Sequence, residues 1–430
     1  MRLTTSEDAN TDGILKRREF LRGALSAGAV AALSGCGRKT SSDKVKITYN
    51  THWAGLDAHT SVMQWMYKEF RRRHPEIEFE VVQIAGSAAD NGRKQMAELA
   101  AGGGPDVLHD ITYDHVRGGY VLDLTDLVKP WMDRFYPESL EACSWDGRLY
   151  SLPTEYSPEV CIWNMNVLRK VGGQIPSTMA EFMAVGKALK KKGIALTCTN
   201  AAGSSGFLAM VFGFPNAKKV IAAQDWESEA FLRPTEVWKK IIDSGFFPSN
   251  DSEIQRGNAE NMFRTGAVAC MMGGGWMLRN LIVAEGVDPE LRKQVEYAPF
   301  PAFNGVRPIR GYVGTRTALN QRLRYDRRKR EAALSFLEFF TSKESAVRFV
   351  SEAQSPMAVK VNVTEQMAGP FLYRLLKAQD LATSTFIVPN NPGVFDQKVF
   401  VPAIPDLFAS LMEGASAKRA LRVFAEDMRT

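Results

Sequence analysis

The chain has 430 residues, with 54 Lys and Arg against 48 Asp and Glu, a formal net charge of +6 and 45% hydrophobic residues. That length exceeds one ordinary domain and suggests two or three, and the apolar content is that of a soluble protein. With no Lys/Arg block alternating with aromatics, the mild positive charge argues against a nucleic-acid partner.

The first segment reads as an address. Lys16, Arg17 and Arg18 precede Phe20 and Leu21, and an uncharged run from Gly23 ends at Leu33-Ser34-Gly35-Cys36. A spanning helix needs roughly 20 mostly apolar residues; this run is shorter and rich in Gly and Ser. A charged start, a short apolar core and small residues before the end make an export signal, and paired arginines are an export address. The layout resembles a twin-arginine signal peptide over residues 1–35 running into a lipoprotein box. That resemblance implies acyl chains on Cys36 and a lipid-anchored tether over residues 36–44. Removing the signal's five basic and four acidic residues from 54 and 48 leaves 49 and 44, a net charge of +5.

Val45-Lys46-Ile47-Thr48-Tyr49 alternates like a strand. Asp57 to Arg73 carries Val62, Trp65, Met66 and Phe70 at helical spacing. His74-Pro75 ends it, because the residue before a proline leaves the α region. Arg71-Arg72-Arg73 then sits beside the negative pole of the helix dipole, as a solvated helix end. Ile77, Phe79 and Val81 alternate as a second strand, and Asn91 to Ala101 reads as a helix. Gly102-Gly103-Gly104 stops that helix; a helix C-terminus is the wrong pole for a phosphate nest. Pro105 to Leu108 starts a third strand, completing a parallel α/β unit. Farther on, Val160 to Trp163 and Ala267 to Met272 have strand character. Thr178 with Glu181 forms a capping box ahead of Phe182, Val185 and Leu189. Glu331 to Phe340 has helical spacing.

Cys143, Cys161, Cys198 and Cys270 fit no zinc spacing and read as buried free thiols. All five histidines (His52, His59, His74, His109, His115) precede residue 116, near Asp106, Asp110 and Asp114. None of them makes an HxxxH or HExxH pair, so no metal and no cofactor is expected.

Several segments together resemble one family. Phe70-Arg71-Arg72-Arg73-His74-Pro75-Glu76-Ile77 leads from the first helix into the second strand, followed by Ala101-Gly102-Gly103-Gly104-Pro105-Asp106-Val107. Asp123-Leu124-Thr125-Asp126 and Trp145-Asp146-Gly147-Arg148-Leu149-Tyr150-Ser151-Leu152-Pro153 come next. Trp163-Asn164, Pro176 to Phe182, and Phe263 to Trp276 complete the order. Order and spacing resemble the family 1 extracellular solute-binding proteins of bacterial ABC importers, the group that contains maltose-binding protein. Trp163 stands where the family usually has Tyr.

The resemblance implies a periplasmic-binding-protein type II fold, α/β, with two lobes joined by a multi-strand hinge around a ligand cleft. The implied N-terminal lobe takes residues 45–153 plus 304–354, and the C-terminal lobe residues 154–303 plus 355–430. It also implies a carbohydrate ligand, an ABC permease as partner, a monomer, and no contact with the membrane beyond the lipid anchor. Sugars need rings for their C–H faces and fixed hydrogen-bonding groups for their hydroxyls. Trp276 and Gly275, after a glycine run, are the first candidates. His52 and Trp53 follow the first strand, and Tyr113 and Asp114 the third, at strand carboxyl ends where open α/β sheets bind ligands. Glu155, Tyr156 and Ser157 are expected at the first crossing, Gly203, Ser204 and Ser205 on a second-lobe loop, and Gly311 and Tyr312 beyond the second crossing. The alternatives are a polyamine, phosphodiester or metal-complex ligand on the same fold, and a secreted glycoside hydrolase. The hydrolase needs two flanking carboxylates, for which Asp106, Asp114 and Glu155 are candidates. No G-x-S-x-G nucleophile motif is present, so a binding protein rather than an enzyme is expected.

Overall fold

The computed structural model describes residues 44–55, 59–84, 88–248, 251, 254, 256–278, 281–282, 286–387 and 397–428. The signal peptide with Arg17 and Arg18, and Cys36, lie outside the described residues, as does the side chain of Trp276.

Twelve strands organise them: β1 Val45–Thr51, β2 Ile77–Gln83, β3 Val107–His109, β4 Ser144–Trp145, β5 Arg148–Leu149, β6 Leu152–Pro153, β7 Tyr156–Asn164, β8 Cys270–Gly273, β9 Val295–Ala298, β10 Pro308–Val313, β11 Arg316–Leu319 and β12 Ser384–Ile387. One sheet has the order β2-β1-β3-β11-β6. β1 runs parallel to β2 and β3, and β11 returns antiparallel between β3 and β6. The alternation of β1 turns Ile47 and Tyr49 inward. Tyr49 packs 5.0 Å from the ring of Phe336, and Phe79 lies 4.5 Å from that ring. The helix Thr60–Arg73 buries Val62, Met63, Met66, Tyr67 and Phe70 on the same core, and its last turn carries Arg71, Arg72 and Arg73. The expected glycine stop is present: Gly102 and Gly104 have φ of 76° and 86°. Arg322 donates to their carbonyls at 3.1 and 2.8 Å. A longer basic run, Arg327 to Arg330, opens the helix Arg327–Phe340, where Asp326 caps the Lys329 amide at 3.0 Å.

The second sheet has the order β12-β10-β7-β8, with β9 also pairing with β7. All nine residues of β7 are buried, as expected of a central strand covered on both faces. Cys161 and Trp163 face a core with Phe182, Phe207 and Trp238, while Val160 and Ile162 face another with Leu372 and Leu375. The capping box forms as the spacing predicts: Glu181 N donates to Thr178 Oγ1 at 3.2 Å and Glu181 Oε2 accepts from Thr178 N at 3.3 Å. Cys143, Cys161, Cys198 and Cys270 are all buried.

The chain crosses between sheets at Thr154-Glu155 and at Gly314-Thr315. The crossings are tied together: Thr154 N donates to Thr315 O at 3.0 Å, the two threonine hydroxyls lie 2.9 Å apart, and Gly314 N donates to Glu155 O at 3.1 Å. A Cβ at Gly314 would lie 2.2 Å from Glu155 Oε2, so a larger residue there would displace that carboxylate. A third connection follows the helix Lys343–Ala353, where Pro356 O accepts from Tyr156 N at 2.9 Å. β10 pairs within the second sheet. The expected return to the first lobe at residue 304 therefore gives way to a crossing just before Arg316. Among the described residues no helix is long and apolar enough to cross a membrane.

Candidate ligand-binding site

Because β1 and β3 are parallel neighbours, their carboxyl ends bring His52 and Asp110 together at the edge of the first sheet. His52 Nδ1 lies 2.5 Å from Asp110 Oδ2. Asn91 donates to that oxygen at 2.8 Å, and Thr51 Oγ1 lies 2.9 Å from His109 Nδ1. Asn91, His109 and Asp110 are all buried. Asp110 holds φ of 64°, a left-handed conformation uncommon outside glycine that clusters at functional sites. Burial pushes its carboxyl up, but the His109 and His52 rings and Asn91 outweigh that and hold it below the usual range. His52, His109 and Asp110 each offer a ligand atom within 4.8 Å of the others and are the described group that could hold a metal ion. Their contacts are those of a hydrogen-bonded network that fixes the orientation of His52.

Trp53, expected at the ligand, is only 2% exposed. Its ring stacks on His59 at 4.1 Å and meets His109 edge-on at 4.4 Å. It forms the wall behind His52 and has no open face. Tyr113 remains half-exposed, with Trp145 edge-on at 5.1 Å. Both rings line a small cavity with Thr112, Cys143, Ser151 and Arg316. Asp114 is turned to Arg117 at 3.5 Å.

In the second lobe, Ser157 is buried and its hydroxyl accepts from Gly275 N at 2.7 Å, fixing the turn that starts the short helix Gly275–Leu278 bearing Trp276. Gly203, Ser204 and Ser205 lie within the helix Thr199–Val211, not on a loop. That helix directs Ser205 Oγ to Glu159 Oε2 at 2.7 Å. Glu159 and Arg310 face each other across β7 and β10 as a buried ion pair at 2.9 Å. Gly311 and Tyr312 lie inside β10, before the crossing. Gly311 makes room for Tyr156, whose ring a Cβ there would meet at 2.8 Å, and Tyr156 is itself buried. Tyr312 stays half-exposed with the Arg310 guanidinium 5.4 Å from its ring centre. Burial, then the Glu155 charge, pushes its hydroxyl pKa up. Glu155 Oε1 accepts from Ser355 at 3.0 Å.

Arg316 joins the halves. Its carbonyl accepts from Asp110 N at 3.0 Å, and it lines the Tyr113–Trp145 cavity just after the second crossing. Sequence reasoning passed over Arg316, Trp145 and the role of Asp110. Trp145 carried a signal inside the Trp145-to-Pro153 motif; Arg316 becomes visible only through the register of β11. Together the site offers half-exposed rings beside hydrogen-bonding groups held in fixed orientation, an arrangement that suits a polyhydroxylated solute.

Residues 55–347 match the family model for bacterial extracellular solute-binding proteins. The chain is 24% identical over 331 residues to an arabinooligosaccharide-binding protein of Bacillus subtilis (strain 168), covering 73% of each. Among solved structures, it is similar to a probable secreted solute-binding lipoprotein from Streptomyces coelicolor, with a TM-score of 0.74, 17% identity, and coverage of 90% of this chain and 99% of that one. A chitin oligosaccharide binding protein superposes with a TM-score of 0.72, 21% identity, and coverage of 89% and 98%. These likenesses carry the fold, two α/β lobes of the solute-binding type, and the family match carries the membership: the chain belongs to the bacterial extracellular solute-binding proteins, family 1.

Proposed function

We propose that this protein captures a carbohydrate between its two lobes and delivers it to the membrane permease of an ABC importer. The observation that carries the reading is the pairing of oriented hydrogen-bonding groups with half-exposed rings at the sheet edges. His52–Asp110 and Glu155 supply acceptors, while Tyr113, Trp145 and Tyr312 supply rings. Relatives named for arabinooligosaccharide and chitin oligosaccharide support the same ligand class. The three connections between lobes provide a hinge, and closure about it would bury the solute. The protein binds and releases its ligand without turnover.

Trp276, on the turn that Ser157 holds, and Ser204 and Ser205 complete the second-lobe side in this reading. Export through the Arg17-Arg18 signal and acylation of Cys36 would hold a monomeric collector beside its transporter. Two or three acyl chains, at ~0.8 kcal/mol per buried methylene, anchor durably where one does not. A thermal-shift screen over neutral and acidic mono- and oligosaccharides tests the reading, since a ligand that binds only the folded state raises its midpoint. A dose-dependent rise with a saccharide supports it. A rise with polyamines or phosphodiesters and none with sugars would move the ligand to another class.

A further inference from the structure

Arg316 is a half-exposed arginine on the wall of the Tyr113–Trp145 cavity. It stands at the first position of β11, immediately after the second hinge crossing. Its Nε is buried and has no hydrogen-bond partner among the described residues. Asp110 pairs with His52, Glu159 with Arg310 and Asp114 with Arg117, while Glu155, which accepts from the neutral Ser355 hydroxyl, keeps its charge beside the crossing. The Cys143 thiol on the same wall stays uncharged, because burial pushes its pKa up. A guanidinium fork matches a planar carboxylate in a bidentate pair. The same cavity is walled by Tyr113 and Trp145, whose rings meet at 80°. A pyranose C–H face packs on such a surface.

We infer that the cavity at Arg316, Tyr113 and Trp145 is a subsite for an acidic saccharide, in which Arg316 receives the carboxylate of a uronic acid unit while the ring pair takes the sugar face. The inference rests on the carbohydrate reading and narrows it to uronate-bearing ligands.

The test is isothermal titration of the purified protein with digalacturonate and trigalacturonate, each beside its carboxyl-reduced counterpart, and with a glucuronic-acid-substituted xylo-oligosaccharide beside xylotriose. A charge-assisted bidentate contact predicts an affinity about ten- to a hundredfold higher for the acidic member of a pair. Added salt should shrink that ratio. Arg316→Gln should bring the ratio close to one, whereas Arg316→Lys, which keeps the charge, should retain part of it. Equal or tighter binding of the neutral members overturns the inference and leaves the carbohydrate reading standing, as does an Arg316→Gln protein that keeps the acidic preference. Silence toward every saccharide, acidic and neutral, overturns both.

Discussion

The Glu159–Arg310 pair gives the sharpest test of how the second-lobe wall is held. The side chains are 5% and 6% exposed, joined at 2.9 Å, and Ser205 adds a hydrogen bond of 2.7 Å to the same carboxylate oxygen. Arg310→Met keeps much of the stem's packing but leaves Glu159 buried with Ser205 alone. Losing one partner of a buried pair costs about 3–5 kcal/mol. Protonation limits that penalty: at pH 7, about 2.7 units above the ordinary Glu value, taking up a proton costs about 3.7 kcal/mol. The Ser205 bond returns about 1 kcal/mol. The expected loss at pH 7 is therefore about 3 kcal/mol, a large share of an ordinary domain's stability. At pH 5 the same protonation costs only about 1 kcal/mol, so the deficit should nearly close. The sign follows from the variant's Glu159, whose raised folded pKa destabilises as pH increases. Urea unfolding of both proteins at pH 5 and pH 7, followed by far-UV circular dichroism, reads this directly. A loss below about 1 kcal/mol at pH 7, or the same loss at both pH values, would refute a dry, uncompensated carboxylate. Replacing both residues by Met should recover most of the loss.

Three other outcomes follow. Thr178→Ala removes the acceptor for the Glu181 amide and should cost about 1 kcal/mol of stability, measurable in the same unfolding assay, while Thr178→Ser should cost little. Asp110 has a depressed folded pKa, so its contribution is complete above its unfolded value of about 3.9 and is lost as pH falls through the folded value. Thermal midpoints between pH 2 and pH 5 should therefore fall more steeply for the native protein than for Asp110→Asn; identical slopes would contradict the network. Changing Arg17-Arg18 to Lys-Lys should strand folded protein in the cytoplasm, scored by fractionation, and normal export would show that the arginine pair is not the signal.

Local chemistry was legible before the fold was known. The stop at His74-Pro75, the glycines at 102 to 104 and the Thr178–Glu181 box depend on neighbours within four residues, and each forms as its spacing predicts. The parallel β1 and β2 follow from the strand–helix–strand order, and the two-sided burial of Val160 to Trp163 from their apolar run. What alternation cannot tell is which way a residue just past a strand will turn. Trp53 follows β1 as His52 does, yet it turns inward on His59 while His52 meets Asp110. The same limit applies to Arg310 and Glu159, 151 positions apart, whose pairing exists only through the β7–β10 register. Serines 204 and 205 read as a loop because Gly203 and Ser are weak helix formers. Packing of their helix against β8 and β10 overrides that preference.

The central claim is capture of a saccharide by a two-lobed binder. Calorimetric titration of the purified protein with arabino-, chito-, xylo-, malto- and galacturono-oligosaccharides tests it most directly. The account predicts saturable binding of at least one of these at one site per chain, with the saccharide recovered unchanged afterwards. No heat and no saturation with any of them, or recovery of shortened products, would contradict it.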